Sequence, residues 1–417
     1  MKEYPFPENR MTRALTGLFL FGLMYLARDT LVTSSVLGFY KAQACMLGLL
    51  IIAGVVFLWW NRKRLKAVIS DKRMGLLLIC ALGLLLPMLV KRDWQLMYFS
   101  VLLCVCAAVF LSYFLQCREA AKYYVGILAA LGGYSILCAY VLRRLPDGNL
   151  LPVPMFDNQI GVSFYNFLFS FVPLDYVKNR NFGIFREPGV YQFFLILALY
   201  LNHYQVRWKS QKTTWIVSGI LTLTTITTFA TGGIIELGLF WILLFFDKKL
   251  YRKRWVWGIL AGLAAALGIL AAYCISRQNG LYWEVYDMLI GKFTYQEESI
   301  GDRVGSVLVN LEAFCRNPLF GQNVSSVLYA IENNTTASLI VFAMFGLFGG
   351  VLHVAGWIAL VWRKEQKLWV NGMLLLILFL SFNTQNLTAD LFFWLFPMMA
   401  LTERVLPRLE IPKREVA

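Results

Sequence analysis

The chain has 417 residues, of which 59% are hydrophobic and only 15% charged, and its formal net charge is +15. A soluble domain carries about a quarter charged residues, so the composition excludes a soluble globular fold and calls for a helical membrane protein. About two thirds of the 39 Lys and Arg fall in short turns between apolar runs, where they serve topology, so nucleic acid is not an expected partner.

Apolar runs long enough to cross a hydrocarbon core of ~30 Å recur along the whole chain. They predict twelve spans, at 12–27, 42–60, 74–90, 95–116, 123–142, 188–206, 215–231, 233–246, 255–275, 339–362, 368–382 and 389–402. The expected fold is an all-α integral membrane protein, one polytopic domain over residues 1–417. The first run lacks a small-residue cleavage site after it and reads as a signal anchor. The basic turns alternate with poorer ones, and the positive-inside rule places both termini in the cytoplasm of a multi-pass cytoplasmic membrane protein. Trp59, Trp60, Trp208, Trp215, Trp255, Trp257, Trp362 and Trp369 flank the basic segments as an interfacial belt does.

Two connections stand out by length, 143–187 and 276–338, and both fall on the external side. Loops this long are usually functional. The first is rich in aromatics, and its part 161–173 is expected to lie as a re-entrant or interfacial helix. The second holds two amphipathic stretches, 281–293 and 302–315, the latter expected to be capped by Asp302. Arg316-Asn317-Pro318-Leu319-Phe320-Gly321 ends it with Pro and Gly.

The first loop closes on Asn179-Arg180-Asn181-Phe182-Gly183-Ile184-Phe185-Arg186-Glu187-Pro188-Gly189. Two arginines and a glutamate precede a long apolar run, with proline opening the helix. Guanidinium groups beside a helix N-terminus are suited to hold a phosphate or diphosphate at a membrane surface. No Asp-x-Asp pair and no CxxC pattern occurs in the sequence, so no dedicated metal site and no cofactor are expected.

These pieces resemble the superfamily of O-antigen polymerases (Wzy-type) and O-antigen ligases, bacterial membrane glycosyltransferases. Arg180 through Gly189 is similar to the family's Arg-x-x-Gly-x-Phe-x-x-Pro element. Arg303, followed by Asn317-Pro318-Leu319-Phe320-Gly321, resembles its second arginine and Pro-x-x-Gly turn. Thr335 through Gly350 resembles the entry to the span after the large loop. The resemblance implies a fold similar to GT-C-type glycosyltransferases. It also implies a substrate of undecaprenyl-diphosphate-linked oligosaccharide, contact with membrane lipids, and a chain-length regulator protein as partner. Ligases carry a histidine near the position of Thr335. Here the histidines, His203 and His353, are expected ~20 Å from the external surface at 1.5 Å per residue, as packing residues. That favours a polymerase over a ligase, with a flippase for the same lipid-linked oligosaccharide as the non-enzymatic alternative.

Transfer from a lipid diphosphate requires a grip on the leaving group and a proton acceptor for the attacking hydroxyl. Arg180, Arg186 and Arg303 are the expected grip, because Arg binds phosphate bidentately and stays charged. Glu187 is the first choice of base. Asp302, Tyr191, Arg316 and Glu332 are expected near the substrate. Glu236, an acid inside a predicted span, is a functional candidate by default.

Overall fold

The computed structural model describes residues 10–60, 71–113, 115–142, 155–157, 163–174, 180–277, 297–331 and 334–406. It is an all-α membrane protein with one small sheet. In chain order the helices are α1 (Arg10–Tyr25), a π-helical turn (Val32–Leu37), α2 (Phe39–Trp60), α3 (Lys72–Lys91), α4 (Leu96–Leu111) and α5 (Cys117–Tyr140). Next come α6 (Pro188–Tyr204), α7 (Gln211–Thr227), α8 (Thr231–Asp247) and α9 (Arg254–Arg277). The last are α10 (Glu297–Arg316), α11 (Val324–Leu328), α12 (Ala337–Val361), α13 (Leu368–Phe382) and α14 (Leu391–Val405).

A helix stands at each of the expected spans. Among the described residues Phe39–Trp59, Lys72–Lys91 and Cys117–Tyr140 are each long and apolar enough to cross a bilayer as one helix, and Ala337–Val361 matches them in length and composition. Others are short: α13 and α14 have 15 residues each, a rise of ~22 Å against the ~30 Å of a hydrocarbon core. Helices α6 and α14 form the centre, since 15 of the 17 residues of α6 and 11 of the 15 of α14 are buried. Tyr124 of α5 ties them, its hydroxyl donating to the Phe194 carbonyl at 3.1 Å and its ring packing on Phe396 at 4.9 Å.

The expected span 339–362 needs correction, because α12 is not one straight helix. Gly346 takes φ +63° and ψ −156°, a conformation open to glycine alone. The chain reverses there. Ser338 Oγ lies 3.0 Å from His353 Nε2, whereas a straight helix would separate residues fifteen apart by ~22 Å. A Cβ on Gly350 would strike the Phe342 ring at 2.1 Å. Residues 337–345 and 347–361 therefore form two arms of a helical hairpin. Lys91 holds the turn, donating to the carbonyls of Met344 at 2.6 Å and Gln322 at 2.8 Å and to the Tyr98 hydroxyl at 2.6 Å. A cation on the last carbonyls of the short arm also complements its dipole. The depth expected for His353 falls with the straight helix: the hairpin sets it beside Ser338, where the long loop ends.

The reading of 161–173 as a helix is also corrected. Ser163–Asn166 (β2) pairs antiparallel with both Met155–Asp157 (β1) and Phe171–Pro173 (β3), in the order β1-β2-β3. Aromatic residues favour strands, and Phe164, with no exposed surface, points into the protein while Tyr165 turns away. Asn166 Oδ1 accepts the Leu168 amide at 2.9 Å and so closes the turn between β2 and β3. The stretch 281–293 lies outside the described residues. Helix α10 covers the second stretch, although it begins before Asp302, which is therefore not its cap.

The two ends of the bundle differ in charge. Arg118, Arg207 and Arg363 feel one another at one end. There Arg363 donates to Gln205 at 2.7 Å, and Lys248 pairs with Asp247 at 2.9 Å. The opposite end carries the sheet and the Arg180–Gly189 segment.

Candidate active site

Residues 180–189 are fixed from several sides. Asn181 donates to Ser135 Oγ at 2.9 Å and Thr227 Oγ1 at 3.0 Å, accepts the Gly183 amide at 3.0 Å, and gives its own amide to the Thr227 carbonyl at 2.9 Å. Gly183 turns at φ +54° over Tyr191, and a Cβ there would meet the ring at 2.7 Å. The apolar residues pack inward, with Phe185 stacked on Tyr191 at 5.0 Å and against Phe194 at 4.3 Å. The polar ones, Arg180, Arg186 and Glu187, stay half-buried at the surface of the bundle end.

The α1–α2 connection pairs with this segment. Leu31 donates to the Ile184 carbonyl at 2.9 Å, Arg186 to the Asp29 carbonyl at 3.0 Å, and Thr30 bridges Phe185. The Arg186 side chain then binds Asp29 Oδ1 through Nε at 2.7 Å and Glu187 Oε1 through Nη1 at 3.1 Å. Arg28 and Asp390 complete the cluster, both within electrostatic reach of Asp29 and Arg186. Burial alone would lower the Arg186 pKa, but Asp29 first and Glu187 next outweigh it and raise it above the usual arginine value. Arg28 shifts down, chiefly through burial, with Asp29 opposing and Arg186 reinforcing the shift. Asp390 caps α14, accepting the Phe392 amide at 2.8 Å. One carboxylate oxygen of Asp29 and one of Asp390 are buried without a hydrogen-bond partner.

Arg186 is thus held between two carboxylates, with about a third of its side chain exposed. Glu187 is ion-paired and makes no side-chain cap to α6. Tyr191 has no exposed surface, and its hydroxyl sits 3.4 Å from Ser135 Oγ. This corrects its expected substrate contact, since the ring serves as the floor under Gly183. Arg316 forms an exposed pair with Glu312 at 2.6 Å, one helical turn apart, at the far end of α10 from Arg303. Glu332 and the side chain of Asp302 lie outside the described residues.

Arg180 and Arg303 lie in different parts of the chain. Arg180 adjoins Asn181, which is bonded to Thr227 just before α8. Arg303 lies within electrostatic reach of Glu236, in the second turn of α8. Glu236 is buried, and Gln192 Nε2 donates to its Oε1 at 3.5 Å and to Thr384 Oγ1 at 3.1 Å. The start of α8 therefore lies beside the second turn of α6 and the end of α13.

Sequence reading missed Arg28, Asp29 and Asp390. Asp390 fell inside a predicted span, so the rule that singled out Glu236 would have found it. Asp29 directly follows an apolar run and carried no such signal. Compared with family models, with curated proteins and with solved structures, the chain matches none.

Proposed function

We propose that the protein is a polysaccharide repeat-unit polymerase, a membrane glycosyltransferase. In this reading it transfers the nascent glycan from undecaprenyl diphosphate to a lipid-linked repeat unit on the outer face of the cytoplasmic membrane. Both termini are then cytoplasmic, and a chain-length regulator is its protein partner. What supports the reading is the Arg186–Glu187 pair at the start of α6, six residues after Arg180, with Arg303 within electrostatic reach of Glu236 in α8.

The transfer forms a bond between the acceptor hydroxyl oxygen and C1 of the donor sugar. The bond from C1 to the diphosphate oxygen breaks, and negative charge develops on the leaving lipid diphosphate. In this reading Arg180 and Arg303 stabilise that charge. The hydroxyl proton passes to a carboxylate, with Glu187 as the first choice. Glu187 lies beside Arg186, paired with its Nη1 at 3.1 Å.

The test is reconstitution. Purified protein in liposomes receives undecaprenyl-diphosphate-linked repeat units and EDTA, without nucleotide sugar or ATP. A ladder of longer glycans with release of free lipid diphosphate is expected. Movement of substrate across the bilayer at constant glycan length would make the chain a transporter and overturn the proposal.

A further inference from the structure

Three helices converge one turn along α6 from the Arg186–Glu187 pair. Helix α8 packs against both α6 and α13, and α6 packs against α13. Each brings a buried polar side chain: Gln192 from the second turn of α6, 1% exposed, Glu236 from the second turn of α8, 2% exposed, and Ser381 from the last turn of α13, with no exposed surface. Hydrogen bonds hold them relative to one another. Gln192 Nε2 donates to Glu236 Oε1 at 3.5 Å and to Thr384 Oγ1 at 3.1 Å, and Thr384 Oγ1 donates in turn to the Ser381 carbonyl at 2.8 Å. The amide nitrogen of Gln192 has to face the carboxylate, because two oxygens there would repel. Two glycines make room for it: a Cβ on Gly233 would meet Gln192 Oε1 at 2.5 Å, and one on Gly232 would meet Nε2 at 3.2 Å.

What this arrangement leaves over is a set of oxygens. Glu236 Oε2, Gln192 Oε1 and Ser381 Oγ are all buried without a hydrogen-bond partner. Hydroxyls buried elsewhere in the bundle are satisfied by their own helix: Thr224, Thr225 and Thr402 each donate to the carbonyl four residues earlier, at 2.8, 2.8 and 2.7 Å. Burying a carboxylate and two further acceptors with nothing to face them is unfavourable. A cation answers all three at once, and the donor set says which kind. Among the described residues no three His, Cys, Asp or Glu come together, and the free atoms are neither nitrogen nor sulfur, which disfavours a transition metal. Oxygen donors suit a hard cation. One carboxylate with neutral oxygens balances a single positive charge. Arg303 acts on Glu236 from an exposed position on α10 and leaves Oε2 without a partner.

We propose that Glu236, Gln192 and Ser381 form a binding site for one sodium ion, which ties α6, α8 and α13 together close to the Arg180–Gly189 segment. The site does not depend on the polymerase reading.

Purified protein in detergent, at constant ionic strength, tests it. Replacing choline chloride by sodium chloride should raise the melting temperature by a saturable few degrees, as a ligand bound only to the folded state does, and potassium should do so much less. Radioactive sodium should bind at one ion per chain. Glu236→Gln should abolish both effects. Ser381→Ala, a milder change, should raise the sodium concentration for half the shift about tenfold, as the loss of one ligand does. A wild type that responds to choline, potassium and sodium alike would overturn the proposal, as would sodium binding that survives in Glu236→Gln. Should Glu236→Gln fail to fold, an unchanged sodium dependence in Ser381→Ala overturns it instead. A wild type indifferent to sodium, and less stable than Glu236→Gln, would mean that a proton sits on the carboxyl and would also overturn it. Sodium binding is read without glycan synthesis, so this test and the polymerase test fail independently.

Discussion

Ser338 Oγ and His353 Nε2 lie 3.0 Å apart although fifteen residues separate them in sequence. The contact exists because α12 folds back at Gly346, and it joins the start of the short arm to the middle of the long one. Asn383 Oδ1 accepts the Ser338 amide at 2.9 Å, so the end of α13 is tied to the same point.

Cysteines at 338 and 353, in a background without the native cysteines, should cross-link readily under mild oxidation. A straight helix would hold them ~22 Å apart, and no cross-link would then form. Gly346→Ala should lower the melting temperature, because alanine adds ~1–3 kcal/mol of backbone strain and its Cβ would meet the Leu319 carbonyl oxygen at 2.2 Å.

Asp29 is buried and depends on Arg186. Arg186→Ala should destabilise the protein by ~3–5 kcal/mol, the usual loss when a buried charge is left unpaired. Reduced membrane levels and a lower melting temperature are the readouts. Arg186→Gln combined with Asp29→Asn should recover much of the stability, and failure to do so would mean that the pair does not carry this cost.

Arg180→Ala and Arg303→Ala should abolish polymer while leaving membrane levels unchanged, in contrast to Arg186→Ala. Lysine at either position should restore only part of the activity, because a point charge does not reproduce the bidentate fork. Normal polymer in Arg303→Ala would remove that residue from the site.

Tyr191 separates packing from chemistry. Tyr191→Phe should leave polymer length and yield near wild type, since the hydroxyl makes only a 3.4 Å contact with Ser135. Tyr191→Ala should cost ~3–5 kcal/mol, as for other large core aromatics, and be seen as loss of protein. A Tyr191→Phe enzyme that is stable but inactive would restore the ring hydroxyl to the site.

Orientation is open to labelling. Leu150→Cys and Tyr295→Cys should react with an impermeant maleimide in intact cells or spheroplasts. Labelling only after lysis would invert the topology.

Helix positions were legible in the sequence because long apolar runs report directly on burial in lipid. Direction was not. The run through Phe345-Gly346-Leu347 is apolar on both sides of the glycine, and hydropathy carries no sign of a reversal. The Arg180–Gly189 segment was legible as charge placed before a span, but the partner that reshapes its meaning, Asp29, is 157 residues away. Such pairings leave no local trace. The sheet was missed because its strands are three or four residues long, too short for alternation to outweigh the density of Phe and Tyr.

The brevity of α13 bears on the lipid around it. Leu376, Phe379 and Leu380 face outward from a helix of ~22 Å. Hydrocarbon of ordinary thickness would cover polar groups at its ends, so acyl chains beside it must compress or tilt. The headgroup layer is then drawn toward the end of α13, where Thr384 meets Gln192. Thick, sterol-like or long-chain bilayers oppose that dimple, and thin ones favour it, so membrane thickness becomes a control on how deeply a lipid-borne headgroup can settle against the protein.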